Sequence, residues 1–164
     1  MSYDVRDAIA ADATAIADIY NHYILESTVT FHIDPVTPEE REAWLSHHGE
    51  SYPVVVAQCD GVVEGWGSLS PWGERPGWCH TVEISVYVAP DARGHGIGPL
   101  LTQHLLQRAS LVGHHAVMSQ IVSDNTASLA MAERAGFVRV GHMREVGRKF
   151  DRWLDVVLLE YLVA

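Results

Sequence analysis

The chain has 164 residues, 48% of them hydrophobic, and carries a formal net charge of −10. That length and composition suit one domain with a real core and leave too little for two. The acidic balance opposes a nucleic-acid partner, which needs a basic face to release counterions from phosphates, and no apolar run approaches the roughly 20 residues that cross a bilayer.

Met1 to Ala11 lacks the basic start and apolar centre of a secretion signal, so a cytoplasmic location is expected. Within it, Tyr3 to Arg6 reads as a first strand. Asp12 is placed to cap a helix in which Ile16, Ile19, Tyr20 and Tyr23 recur at i, i+3, i+4 and i+7, the spacing of one buried face. Glu26 to Val36, with Thr28 and Phe31, is extended and either lines a pocket or crosses the surface. Thr37-Pro38-Glu39-Glu40 combines a capping box with proline at the first helical position, and Trp44 and Leu45 give the next helix its apolar side. Pro53 to Ala57 and Val62 to Trp66 flank Asp60-Gly61, a pair that readily takes left-handed angles, which predicts an antiparallel hairpin. Ser70 to Cys79 is rich in Gly, Pro and Trp and reads as an excursion before Thr81 to Val88, the longest strand candidate.

Arg93-Gly94-His95-Gly96-Ile97-Gly98 follows and opens a helix with Ile97, Leu101, Leu105 and Ala109 on one stripe, running to Gly113. Glycines let main-chain N–H groups approach a diphosphate without a Cβ in the way, and the helix behind them adds unpaired donors and a positive dipole end. A diphosphate-bearing ligand therefore fits this loop better than a metal or a nucleic acid. His115 to Val122 returns as a strand, which predicts a right-handed parallel crossover. Ser123-Asp124-Asn125 offers caps for a helix from Thr126 to Ala135, Gly136 stands where a left-handed C-terminal residue belongs, and Phe137 to Glu145 and Asp151 to Tyr161 read as the last strands. The sum is a single α/β (α+β) domain: a mixed sheet of about six to seven strands, antiparallel on its N-terminal side, flanked by about four helices.

Cys59 and Cys79 lie in apolar strand-like segments and read as buried reduced thiols, with no cue for an activated nucleophile. The histidine pairs His47-His48 and His114-His115 diverge, and no two histidines have the i, i+4 spacing of a zinc-binding helix, so no metal is expected. Trp66, Trp78 and Trp153 read as core or subunit contacts rather than substrate walls, and Trp72, just ahead of Arg75 in the excursion, reads as either.

The loop at 93–98 matches the (Arg/Gln)-x-x-Gly-x-(Gly/Ala) signature of the Gcn5-related N-acetyltransferases, the GNAT superfamily, with the required strand before it and helix after it. Beyond that loop the chain resembles the phosphinothricin and methionine-sulfoximine acetyltransferase group almost from end to end, in Ile19 to Tyr23, Ser27 to Phe31, Tyr52-Pro53, Thr81 to Val88, Asn125 with Ser128, Ala135-Gly136-Phe137 and Val146 to Val157. The resemblance implies the GNAT fold, acetyl-CoA as donor, an amino-acid amine as acceptor and a homodimer. It implies that the backbone of Val86, Tyr87 and Val88 pairs with the pantetheine arm, that the amides of Arg93, Gly94, His95, Gly96, Ile97 and Gly98 hold the pyrophosphate, and that Asn125 and Ser128 touch the pantetheine. Both of these last also read as helix caps.

An ammonium must lose a proton before it can attack a thioester, so a base is needed near neutrality. Glu83 is the candidate: it stands in an apolar strand, on the face of Ser85 and Tyr87, where burial raises a carboxylate's pKa. Its other readings are an ion pair with Arg75 or a position facing water. A main-chain N–H near Val86 would stabilise the oxyanion, giving direct transfer without an acetyl-enzyme. Thr28, Phe31, Arg75 and Glu83 form the expected acceptor site. Two positions depart from the family pattern. Ala132 stands where relatives carry a histidine or tyrosine, leaving solvent or Tyr87 to protonate the thiolate. Gly73-Glu74-Arg75 stands where two arginines are usual, leaving Arg75 alone to meet a substrate carboxylate or to lie on the surface. The competing functions are acetylation of a protein N-terminus or lysine, and CoA binding with little turnover.

Overall fold

In the computed structural model, which describes residues 1–164, seven strands form one sheet in the order β1-β2-β3-β4-β5-β7-β6. The strands are β1 (Asp4–Asp7), β2 (Val54–Cys59), β3 (Val62–Pro71), β4 (Thr81–Val88), β5 (Ala116–Val122), β6 (Val138–Lys149) and β7 (Arg152–Leu162). The helices are α1 (Ala13–Glu26), α2 (Pro38–Ser46), α3 (Ile97–Leu111) and α4 (Thr126–Arg134). All strand pairs are antiparallel except β4 with β5, which α3 joins as a parallel crossover.

The hairpin between β2 and β3 turns on Asp60 and Gly61 at φ 50° and 79°, the mirror-image turn whose twist matches the flanking strands. Val55 and Val56 are both fully buried yet belong to different cores, because successive strand side chains point to opposite faces. One face carries α3, whose Ile97, Leu101, Leu105 and Ala109 pack with Leu69, Val82, Val117 and Leu159. The other face carries α1, whose Ile16, Ile19, Tyr20 and Tyr23 pack on Val56 and Trp66. Full burial of each large aliphatic side chain contributes about 1.5–3 kcal/mol. The start of α2 is fixed by its capping box: the Glu40 N–H donates to Thr37 Oγ1 at 3.1 Å and the Thr37 N–H to Glu40 Oε2 at 2.7 Å.

Several details differ from expectation. Asp12 does not cap α1: its carboxylate accepts from the Ile9 N–H at 2.8 Å and from both ends of the Arg6 guanidinium, an ion pair that locks β1 to the turn before the helix. Cys79 is exposed, just past a short 3₁₀ turn at Pro76–Trp78, and Cys59 is only half-buried where β2 ends. Among the four tryptophans in question only Trp66 is core; Trp78 and Trp153 are 46% and 60% exposed and Trp72 is half-buried. β6 runs past Glu145 to Lys149, through a bulge where Glu145 takes φ 52°, and the β6–β7 turn places Phe150 and Asp151 at φ 51° and 58°.

Candidate active site

The site begins where two strands part. β4 pairs with β5 only from Thr81 to Glu83, opposite Ala116 to Met118. Beyond that point β4 stays with β3 as far as Val88, while β5 stays with β7 as far as Val122. The Trp72 N–H donates to Thr81 O and the Ala89 N–H to Glu64 O, so odd-numbered residues of β4 direct their main-chain groups to β3 and even-numbered ones to the opening. Val88 O is taken there by the Tyr23 hydroxyl at 2.5 Å. Val86 is left facing the gap with no strand beside it, the kind of edge an extended chain can pair with.

At the far end of β4 lies the glycine loop. None of the amides from Arg93 to Gly98 donates to an acceptor within the protein. Gly94 and Gly96 hold φ of 79° and 82°, left-handed angles that turn these N–H groups outward at the start of the 15-residue α3. Arg93 lies beside them, its guanidinium over the Tyr23 ring at 5.1 Å and its Nε donating to the Tyr23 hydroxyl at 3.1 Å. His95 keeps its Nδ1 within 3.1 Å of Ala92 O.

Between the parted strands, α1 and α4 lies a cavity of about 660 Å³. Glu83, Val86, Tyr87, Val88, Arg93, Gly98, Asn125, Ser128 and Phe31 all line it, so the chain does bring most of the expected residues together. Asn125 Oδ1 also accepts from the Ser128 N–H at 3.2 Å, which makes it the cap of α4 as well as part of the wall. Thr28 and Arg75 are not in the lining. The Ser27 hydroxyl accepts from the Val29 N–H at 3.1 Å, and this tight local turn presents Ser27, Val29, Thr30 and Phe31 to the cavity but not Thr28. Arg75 is exposed ahead of the 3₁₀ turn and makes no ion pair. Nearby Gly73 packs on Trp78, where a Cβ would meet the indole at 3.0 Å, so this loop has no room for a longer residue at 73 without moving the ring.

Glu83 is half-buried and its Oε1 accepts from Gln120 Nε2 at 3.1 Å. Burial pushes its carboxyl above the usual carboxylate range, and the Gln120 hydrogen bond opposes this in part. No arginine or lysine pairs with it, which removes the ion pair with Arg75 from its possible readings. Burial pushes the Tyr87 phenol well above its ordinary value, so it is a poor proton donor at neutral pH. Ala132 lines the cavity and has no proton to give.

The contacts behind the proposed acceptor side are not visible in the sequence. Lys149 is 4% exposed and its ammonium donates to the carbonyls of Ser27 at 2.7 Å, Thr30 at 2.8 Å and Tyr23 at 3.5 Å. The Tyr20 and Thr30 hydroxyls lie 2.9 Å apart beside Tyr87, and the Phe31 ring packs closely against Gly147. Gln120 had a signal, a lone amide in an apolar strand; Lys149 opens the stretch Lys149 to Asp155, which the sequence offers either as completing an acceptor pocket or as strand packing, and the structure sets it behind the cavity wall instead of in the lining.

Comparison with known proteins agrees with this geometry. The family described as "Acetyltransferase (GNAT) family" matches residues 16–137. The L-amino acid N-acyltransferase MnaT of Escherichia coli is 40% identical over 157 residues, covering 95% of this chain and 91% of that protein. The L-methionine sulfoximine/L-methionine sulfone acetyltransferase of Pseudomonas aeruginosa is 40% identical over 162 residues, covering 98% and 94%. A crystal structure of a phosphinothricin acetyltransferase from Sinorhizobium meliloti in complex with acetyl-CoA superposes with a TM-score of 0.96 at 32% identity, over 100% of this chain and 90% of that one. The chain belongs to the GNAT acetyltransferase family.

Proposed function

We propose that the protein transfers the acetyl group of acetyl-CoA directly to the α-amine of a small amino-acid-like acceptor, of the methionine sulfoximine, methionine sulfone or phosphinothricin type. The observation that carries this reading is one cavity lined by a half-buried carboxylate without a counter-ion, Glu83, and by the open edge of β4 at Val86, with Arg93 and Gly98 joining its lining from the loop of unpaired amides at 93–98. The names of the relatives support the acceptor class.

Acetyl-CoA supplies an activated acyl group and a thiolate leaving group. The amides of residues 93–98 and the charge of Arg93 hold its pyrophosphate, the main chain at Val86 to Val88 aligns the pantetheine, and Asn125 and Ser128 border it from α4. Glu83 takes a proton from the acceptor ammonium, directly or through a water. The free amine attacks the thioester carbonyl while the Val86 N–H donates to the developing oxyanion; the C–N bond forms, the nitrogen gives up its second proton to water, and the C–S bond breaks. With Ala132 inert and Tyr87 a weak acid, the thiolate is protonated by solvent. The acceptor side is bordered by Phe31, Thr30 and Glu83; Thr28 and Arg75 have no place in this site as one chain forms it.

Glu83→Gln is expected to lower turnover by at least about tenfold while the acetyl-CoA dissociation constant stays nearly unchanged. Turnover equal to wild type removes Glu83 from its role. Assays of free CoA release with methionine sulfoximine, methionine sulfone, phosphinothricin and a basic peptide test the acceptor class, and release with the peptide alone overturns it. We also propose a cytoplasmic homodimer. The edge hairpin with its exposed Val138, Val140, Val146, Phe150 and Trp153 supports the dimer, and sedimentation checks it.

A further inference from the structure

The segment after α1 lines the acceptor end of the cavity but has no strand or helix to hold it. Its backbone polar groups need partners of another kind, because a loop without a ladder leaves its carbonyls bare. The Ser27 and Thr30 carbonyls accept from no main-chain N–H. One side chain from the far edge of the sheet, Lys149 of β6, reaches both at 2.7 and 2.8 Å and also lies 3.5 Å from Tyr23 O at the end of α1. Two residues earlier, Gly147 lies so close under Phe31 that a Cβ there would stand 2.3 Å from the ring.

We propose that Lys149, with Gly147 beside it, is a positioning residue for the acceptor: it fixes the wall of Ser27, Val29, Thr30 and Phe31 against Glu83, and so sets which amino-acid side chains fit. This deepens the reading above and rests on it. Burying an ammonium away from any carboxylate is costly unless its donors are all used, and here the donors are spent on the one segment that borders the acceptor. Lys149 does not line the cavity, so it acts through the loop and not by touching substrate. The order of the wall then runs inward from it, since the Thr30 hydroxyl meets Tyr20, and Tyr20 packs on Tyr87 at 5.0 Å between ring centres. Because Gly147 has no Cβ, Phe31 lies back against β6, and any side chain at 147 would drive the ring off the strand and reshape the wall.

The test compares wild type with Lys149→Met, which keeps the length of the side chain and removes the donors, and with Gly147→Ala, which displaces Phe31 by a separate route. Both variants should raise the acceptor KM by at least about tenfold with kcat changed much less, and leave the acetyl-CoA dissociation constant within about twofold. Amide hydrogen exchange in the Lys149→Met protein should quicken at residues 27–31 and stay as it was at 93–98. Gly147→Ala should also narrow or shift the preference among amino acids of different side-chain size. Unaltered acceptor KM in either folded variant overturns the proposal, and so does a loss of acetyl-CoA affinity in step with acceptor affinity, which would mark general damage. If Lys149→Met fails to fold, Gly147→Ala decides alone. If wild type acetylates no amino acid, the functional reading fails, whereas unchanged exchange at 27–31 sinks the role of Lys149 by itself.

Discussion

At the scale of single residues, the proposed chemistry rests on a carboxylate kept short of charge partners. Because burial raises the Glu83 pKa, a base at this position is lost on acidification at a pH above that of an ordinary glutamate. A pH profile of kcat/KM should therefore show an acid limb displaced upward, and Glu83→Gln should abolish that limb along with most of the rate. The same shift has a consequence for stability, with the opposite sign to the usual carboxylate. A folded-state pKa raised above the unfolded value penalises the native state once the group is ionised, so the cost is present above the raised pKa and vanishes below the unfolded one. Glu83→Gln should then melt higher than wild type at neutral pH, and the difference should close in acid. A variant that melts lower at neutral pH would show that the Gln120 contact outweighs desolvation.

At the scale of elements, the loop that opens α3 is built from backbone angles more than from side chains. A Cβ at Gly96 meets nothing within 4 Å, yet φ is 82°. Gly96→Ala therefore acts through conformation alone, at about 1–2 kcal/mol, and should weaken acetyl-CoA binding by about tenfold as the amides turn away. Gly61→Ala, at φ 79° in the β2–β3 turn with equally open surroundings, is the matched control: it should cost similar stability and leave the dissociation constant alone. Equal effects of both on binding would count against the loop as the diphosphate site. These elements were legible in the sequence where a local pattern determines them. Ile97, Leu101, Leu105 and Ala109 declare a helix face by spacing, Asp60-Gly61 declares a hairpin, and the glycines of 93–98 declare a left-handed turn into α3. What was not legible depends on partners distant in the chain. Asp12 has the chemistry of a cap, but Arg6 competes for it across the turn. The reach of β6 to Lys149 depends on pairing with β7 around a bulge, and Phe31 is placed by Gly147, which no periodicity links to it. Arg75 reads from the sequence as either a substrate anchor or a surface arginine, and with Gly73 packed on Trp78 and a 3₁₀ turn after it, Arg75 lies on the surface.

At the scale of the whole molecule, the two faces of the sheet divide the work. The face under α3 and α4 presents Val82, Ile84, Val86 and Val88, while the face under α1 and α2 presents Glu83, Ser85 and Tyr87, the side proposed for the acceptor. Strand alternation alone makes this separation, and the parting of β4 from β5 is where the two halves meet. That parting also means the native fold is unfinished by itself. Part of its hydrogen-bonding capacity waits for a guest, so robustness becomes a function of metabolite supply. At a hundredfold excess over its dissociation constant, acetyl-CoA adds about 2.7 kcal/mol, which corresponds to about 5–10 °C in Tm for a chain of this size. Calorimetric scans across a titration should trace that rise, and a flat trace would mean that the gap is not where the thioester lies. In a cell depleted of acetyl units, the empty enzyme would be the softer and more readily degraded form.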